Sequence, residues 1–391
     1  MIKIDHTSMK NTNTLIQSPI RIAQMMTDMN YGGVEAVVMN YYRFIDRSNF
    51  QFDFFCFEGS LQPQKNEIEK LGGRIYVVPK LSLPLSYIKS VRKIFRENNY
   101  KIVHCHMNSM GVFAMYAAYK ENIPVRILHN HSMVNHFFSR SEFKRNILKY
   151  ILRAFCKIYP TNFCACSKVA GDWMYGKNFN YTIFNNGIDV DKFKFNPEIR
   201  KLVRTELGIQ DKLVIGHVGR FCEQKNHDLL IDIFSHVLDY QNNSVLVLIG
   251  EGELLDQVKL KVKKYSIEDK VLFLGKQNDT SKYYQAMDVF CLPSRYEGLP
   301  VVGVEAQCCG LPCVFSSYVS KESKILDSTE FLSYEDSLNK WANTLVKLTK
   351  DQRVDGSELV RYCNFDMKEE AKKLETYYND LLLDRKPLIS S

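Results

Sequence analysis

The sequence predicts an α/β protein made of two parallel-sheet units in tandem, and three observations carry that expectation. The chain is 391 residues long, which at roughly 150 residues per domain asks for two or three domains. From Ile20 onward, short apolar runs alternate with amphipathic helical stretches, the pattern of parallel strands covered on both faces. A charged stretch from Asp189 to Gln210, which contains Pro197, splits the alternation into two series.

Residues 1–18 are polar and rich in Asn and Thr, and read as a flexible tail. The first series, within residues 19–190, places strands at Arg21–Met25, Phe52–Phe57, Arg74–Val78, Ile102–Cys105, Val125–His129, Asn162–Ala165 and Thr182–Phe184. Each is followed by a polar or glycine-containing turn and a helix-like stretch. Residues 191–210 read as the linker. The second series, within residues 211–365, places strands at Leu213–Val218, Ser244–Ile249, Lys270–Leu274, Val289–Leu292 and Pro312–Phe315. Residues 335–384 read as consecutive helices with Leu345, Leu348, Leu374 and Leu381 on their apolar faces, while Tyr318–Asp327 follows no recognisable pattern.

Hydrophobic residues at 45% and charged residues at 25% are ordinary globular values and exclude a disordered, collagen-like or coiled-coil chain. The first 18 residues lack the apolar core of a signal peptide, and no apolar run approaches the ~20 residues of a membrane span. The expected location is cytoplasmic. The eleven cysteines are odd in number and sit in apolar runs such as Phe163-Cys-Ala-Cys166, so they read as buried thiols. Cys308-Cys309 with Cys313 lacks zinc spacing. The first 190 residues carry 24 Lys and Arg against 13 Asp and Glu, and the rest 28 against 31. A basic half joined to a near-neutral half suggests that the first meets something anionic, although a soluble basic domain fits too.

Ligands of open parallel sheets bind beyond the carboxyl ends of the strands, so the loops there are where the chemistry is expected. The richest is Pro293-Ser-Arg-Tyr-Glu-Gly-Leu-Pro-Val-Val-Gly-Val-Glu305, a strand, loop and helix start. Pro300 suits a first helical turn. Glu297 falls just before that turn and Glu305 about two turns inside, where carboxylates can accept hydrogen bonds from sugar hydroxyls. The helix start itself favours phosphate. Simple dipole compensation would also place a Glu there. In Gly216-His-Val-Gly-Arg-Phe-Cys-Glu-Gln-Lys-Asn-His227, Gly219 permits a tight turn and Asn226 is a suitable N-cap. Arg220 and Lys225 flank that loop and can converge on a diphosphate, or remain solvated surface cations. Gly32-Gly33, after the first strand, allows close backbone approach, but its spacing is not that of dinucleotide binding. His104-Cys-His106 and His129-Asn-His131 follow strands and could each bind a metal, but no carboxylate lies nearby in sequence and hydrogen-bonding histidines fit better.

Together, Gly32-Gly33, the Arg220 to Asn226 loop, Asn186-Gly-Ile-Asp189, Gly250-Glu-Gly252 and above all Glu297 with Glu305 make the chain resemble the retaining glycosyltransferases of family 4 over roughly residues 19–385. His129-Asn-His131-Ser and Ala165-Cys-Ser-Lys168 are most similar to enzymes of bacterial capsule and exopolysaccharide synthesis. The resemblance implies the GT-B fold: two Rossmann-like domains facing across a cleft, the first binding acceptor and the second the nucleotide sugar, with residues 366–391 as a helix crossing back and a tail. It assigns Glu305 to the ribose, Arg220 and Lys225 to the diphosphate, and Glu297 with the Gly298 and Leu299 backbone to the transferred sugar. Gly33, beside Gly32, would offer its N–H from the opposite domain, and His131 is ranked first as active-site histidine. No metal or other cofactor is implied, because preorganised cations and N–H donors stabilise the leaving diphosphate. The implied partners are a nucleotide-sugar donor, with UDP first in rank, and a lipid-linked saccharide acceptor. Alternatives on the same two-domain plan are a sugar-nucleotide epimerase, a glycan phosphorylase or a non-catalytic carbohydrate-binding protein.

Between Arg74 and Lys157 there are 15 Lys and Arg against only Glu97, Glu121 and Glu142. Within Ser139–Lys157, Phe143, Ile147, Leu148, Ile151, Leu152 and Phe155 recur at helical spacing, interleaved with Arg140, Lys144, Arg145, Lys149, Arg153 and Lys157. This is the pattern of a helix lying on an anionic membrane surface, peripheral on the inner face. A core-facing helix with a solvated basic face fits the same residues. No nucleic-acid-binding motif is present, so nucleic acid is not an expected partner.

Overall fold

The computed structural model describes residues 18–29, 32–131, 147, 150–350 and 353–383. The tail at 1–17, Asn30 and Tyr31, the final residues 384–391 and most of the expected interfacial helix (Arg140, Phe143, Lys144, Arg145, Leu148 and Lys149) lie outside the described residues.

Two all-parallel sheets organise the rest. The first holds β1 (Ile20–Met25), β2 (Phe50–Phe57), β3 (Arg74–Val78), β4 (Ile102–Cys105), β5 (Val125–Asn130), β6 (Asn162–Ala165) and β7 (Thr182–Ile183), in the order β3-β2-β1-β4-β5-β6-β7. The second holds β8 (Leu213–Val218), β9 (Ser244–Ile249), β10 (Val271–Phe273), β11 (Val289–Leu292), β12 (Cys313–Ser316) and β13 (Thr329–Leu332), in the order β10-β9-β8-β11-β12-β13. In each sheet the order reverses beside its first strand, between β1 and β4 and between β8 and β11. That switch point opens a crevice beyond the strand ends.

Strand alternation explains the burial. In β2, Phe50, Phe52, Phe54 and Cys56 face one core, whereas Phe55 faces the other with Tyr87 and Phe95. The first of these cores is completed by Met367, Ala371, Leu374 and Tyr378 of the Met367–Leu383 helix, which therefore returns to the first domain. The chain crosses at a short parallel bridge: Ile188 N–H donates to the Phe365 carbonyl at 2.8 Å, and Met367 N–H to the Ile188 carbonyl at 2.9 Å. Val301, at the start of the Val301–Cys308 helix, packs on core residues of both domains.

Three features depart from the sequence expectation. Residues 191–210, read as the linker, hold a helix the sequence reading did not place: Asn196 caps it at Pro197–Glu206, accepting from Glu198 and Ile199 N–H groups at 2.9 and 3.2 Å. Pro197 starts this helix instead of breaking one, and Arg204 reaches Asp288 at 3.2 Å to dock it on the second domain. Asn226 does not cap through its side chain: it adopts the left-handed conformation (φ +54°), which Asn tolerates. The segment after Tyr318 holds a single helical turn at Lys321–Ser323 and then the edge strand β13. All eleven cysteines are free, nine of them buried and Cys222 and Cys363 partly so.

Candidate active site

The second-domain half of the site forms where β8 and β11 part. Gly219 follows β8, and a Cβ there would stand 3.1 Å from Cδ of Lys225, so the missing side chain leaves a lane for the lysine. A Cβ on Gly250 would come within 2.0 Å of the Gly219 carbonyl, which is why the Gly250-Glu-Gly252 loop can press against this turn. Lys225 Nζ meets Glu297 Oε1 at 2.7 Å, with only 14% and 11% of the two side chains exposed. Glu297 is fixed by its backbone as well, since its carbonyl accepts from Ser320 N–H at 3.2 Å in a bridge to Val319. Arg220 does not join this pair: its side chain is 68% exposed and meets Glu253 at 3.0 Å. Gly298 follows Glu297 at the surface of the cleft, and Leu299 sinks its side chain into the second-domain core, which pins the backbone between them.

Glu305 lies about one turn, not two, inside the Val301–Cys308 helix, because the helix begins after Pro300. Its Oε2 accepts from the Tyr284 hydroxyl at 2.8 Å. Burial pushes its carboxyl up to about 7; the Tyr284 bond, Lys192 and Lys225 pull it down and Asp279 pushes it further up. Glu305 and Lys225 therefore share one electrostatic neighbourhood.

The first-domain half forms where β1 and β4 part. A recess of about 160 Å³ is lined there by Met26, Thr27, Gly33, Val34, Glu35, His106, Met107 and Asn108. A Cβ on Gly33 would meet nothing within 4 Å, so its backbone lies open to an approaching group. Gly32 has a different reason: a Cβ would fall 2.1 Å from Glu35 Oε2, whose carboxylate folds back over it. His131 directly follows β5, its N–H donating to Asn108 Oδ1 at 2.9 Å. The two halves meet here, since a Cβ on Gly298 would stand 4.0 Å from the His131 carbonyl oxygen.

Sequence reasoning missed Gln24, Tyr284 and Tyr378. Gln24 did leave a signal, as an amide inside an otherwise apolar central strand. The two tyrosines left none, because their hydroxyls matter only through contacts across the fold. Among the described residues, His104, His106 and His129 form the one group of side chains within ligand reach of a common ion. All of their ring nitrogens except His129 Nε2 bond to one another or to neighbours, as His104 Nε2 does to His129 Nδ1 at 3.1 Å. Asp189-Val-Asp191 has the Asp-x-Asp spacing of a diphosphate-linked metal site, but Asp189 caps a helical turn at Lys192 and Asp191 is held by Arg361 and Lys368 at the domain crossing.

The comparisons agree with this geometry. Residues 31–192 match the model for Glycosyltransferase Family 4, and residues 200–369 the model for Glycosyl transferases group 1. The glycosyltransferase EpsF of Bacillus subtilis (strain 168) is 32% identical over 92% of this chain and 96% of its own. UDP-Gal:alpha-D-GlcNAc-diphosphoundecaprenol alpha-1,3-galactosyltransferase of Escherichia coli is 26% identical over 96% of this chain and all of its own length. HepE of Anabaena, solved in complex with UDP-glucose, superimposes with a TM-score of 0.76 over 92% of this chain and 100% of that one at 18% identity. With paired parallel sheets, switch-point loops facing across a cleft and a helix that returns to the first domain, the chain belongs to the family 4 glycosyltransferases of the GT-B fold.

Proposed function

We propose that this glycosyltransferase moves a sugar from a UDP-sugar to a lipid-linked saccharide in bacterial surface polysaccharide synthesis, with retention at the anomeric carbon and without a metal. The observation that carries the reading is the buried Lys225–Glu297 pair beside Glu305 at the second-domain switch point. A cation, a carboxylate beside the helix start and a carboxylate within the first turns match the diphosphate, transferred sugar and ribose of one extended ligand. Breaking the sugar–phosphate bond builds negative charge on the leaving diphosphate. Lys225, Arg220 released from Glu253, and the N–H groups at Gly33 and at the Val301 helix start stabilise that charge as it develops. The acceptor hydroxyl then attacks from the face the phosphate leaves, and the phosphate oxygen takes its proton, so no dedicated protein base is needed. Support for the acceptor class and for retention comes from the Escherichia coli relative, whose name pairs a UDP-Gal donor with an undecaprenol-linked acceptor and an alpha-1,3 product.

The reading includes peripheral contact with an anionic membrane. Among the described residues no helix is long and apolar enough to cross a bilayer. Ile151 and Phe155 are 53% and 49% exposed while Leu152 is 8% exposed, so the apolar residues at this end of the segment mostly face outward. Arg153 and Lys157 instead lie over the rings of Trp173 and Phe179. An exposed apolar stripe on a basic domain suits an interface with acyl chains and anionic headgroups. The test of the whole reading is consumption of a panel of nucleotide sugars with and without a lipid-linked acceptor fraction. Acceptor-dependent release of UDP is expected; acceptor-independent consumption would point to the epimerase or hydrolase class instead.

A further inference from the structure

Six buried polar groups at the carboxyl end of the first sheet form one continuous hydrogen-bond chain that the proposed transfer does not by itself explain. His131 Nε2 lies 2.8 Å from His106 Nδ1, and His106 Nε2 lies 2.8 Å from Gln24 Oε1. On the other side of the same amide, Gln24 Nε2 donates to the Tyr378 hydroxyl at 3.4 Å. That hydroxyl lies 2.7 Å from His104 Nδ1, and His104 Nε2 lies 3.1 Å from His129 Nδ1. Gln24, His104, His106, His129, His131 and Tyr378 are all buried. The register explains the cluster: Gln24 on β1 stands beside His104 on β4, and alternate residues put His106, His129 and His131 on the same side.

We propose that Gln24 is a positioning residue for His131: acting through His106, the orientation of its amide sets which ring nitrogen of His131 carries the proton, and Tyr378 on the returning helix passes the same choice to His104 and His129. A neutral imidazole has one donor nitrogen and one acceptor nitrogen. Burial keeps all four rings neutral at physiological pH, driving His104, His106 and His129 well below their usual range and His131 down to about 4. The Gln24 carbonyl oxygen can only accept, so His106 carries its proton on Nε2. His106 Nδ1 must then accept, so His131 carries its proton on Nε2 and presents a lone pair on Nδ1. In the other arm the Gln24 NH2 donates to Tyr378, whose hydroxyl proton goes to His104 Nδ1, and His104 Nε2–H donates to His129 Nδ1. Turning the amide over reverses every proton in both arms, so six groups share one choice. At one end His129 Nε2 finds no hydrogen-bond partner among the described residues; at the other the Asn186 side chain stands beside His131 and raises its pKa against the effect of burial, so Asn186 competes with His106 for the His131 proton.

The proposal rests on the reading that His131 serves the transfer, and the experiment separates the two. Imidazole-15N-labelled full-length protein is examined by long-range 1H–15N correlation at pH 7.5, with turnover measured on the same samples. The expected result is a single His131 tautomer, protonated on Nε2, in the wild type. Gln24→Met, which keeps the side-chain length and removes both polar atoms, should yield a mixture of tautomers and a fall in kcat of roughly 10- to 100-fold, with donor KM unchanged because Gln24 does not line the recess beside Gly33. Tyr378→Phe, which keeps the ring packed in its core, should produce the same mixture to a lesser degree, and covers the case in which Gln24→Met does not fold. An unchanged His131 tautomer in both variants, or a wild-type proton on Nδ1, would overturn the proposal. Full turnover in His131→Ala would instead remove the histidine from the transfer, while the tautomer result still decides whether Gln24 sets it.

Discussion

Donor affinity should depend on pH through Glu305. Its carboxyl is pushed up to about 7, chiefly by burial. Two ribose hydroxyls donate best to the ionised form, which offers acceptor sites on both oxygens, so binding favours the carboxylate. With a titration near 7, roughly one molecule in ten is ionised at pH 6 and nine in ten at pH 8. Affinity for a nucleotide sugar should thus rise about tenfold between pH 6 and pH 8, and binding at pH 6 should release close to one proton. The sign follows from linkage: a raised carboxyl favours the protonated unliganded state below its pKa, and that cost to binding disappears above it. A nucleotide sugar is the right probe because its diphosphate diester does not titrate in this range. Isothermal titration in buffers of different ionisation enthalpy measures both quantities. Glu305→Gln should flatten the profile and weaken binding at pH 8 by about 1.5 to 3 kcal/mol, the loss of charge-assisted hydrogen bonds. A wild-type affinity that does not change over this range, or a steep profile that survives in Glu305→Gln, would refute the assignment of Glu305 to the ribose.

Lys225→Met should weaken donor binding and also destabilise the fold by about 3 kcal/mol, because it strands the buried Glu297 carboxylate; adding Glu297→Gln should restore the melting temperature but not turnover, as thermal denaturation and a UDP-release assay will report. Activity should survive dialysis against EDTA, since the side chains reserved for the diphosphate are cations; an enzyme silent until Mg²⁺ or Mn²⁺ is added would contradict this. Ile151→Glu with Phe155→Glu should reduce co-sedimentation with anionic vesicles while leaving nucleotide binding intact, and wild-type binding should weaken with salt; equal sedimentation of both proteins would take this stripe out of the membrane contact.

The parallel strands were legible because apolar runs bounded by turns are a local signal, and the first-sheet strands fall within two residues of their expected ends. The helix at Pro197–Glu206 was not placed because a proline marks both an irregular connection and a first helical turn, and only the Asn196 cap separates the two. The edge strand Thr329–Leu332 is four residues of mixed polarity that pairs with β12 alone, too short for a period to show. Lys225, Glu297 and Glu305 stand out in the sequence as candidates because they sit in loops and helix starts with distinctive neighbours. Their partnership was not recognisable, since the Lys225–Glu297 pair joins residues 72 apart. Arg220 shows the limit of motif reading: its place in the loop was foreseen, but its contact with Glu253 depends on how the Gly250-Glu-Gly252 loop folds against it. The seating of Arg153 and Lys157 on aromatic rings likewise depends on later segments.

The central claim is retaining transfer from a nucleotide sugar bound between the two switch points. The most direct measurement is the anomeric configuration of the first-formed product, read from its anomeric proton coupling after incubation of the full-length enzyme with an α-linked nucleotide sugar and a lipid-linked saccharide. An α-linked product, formed together with free nucleoside diphosphate and lost in Lys225→Met, is the predicted result. A β-linked product would contradict the account.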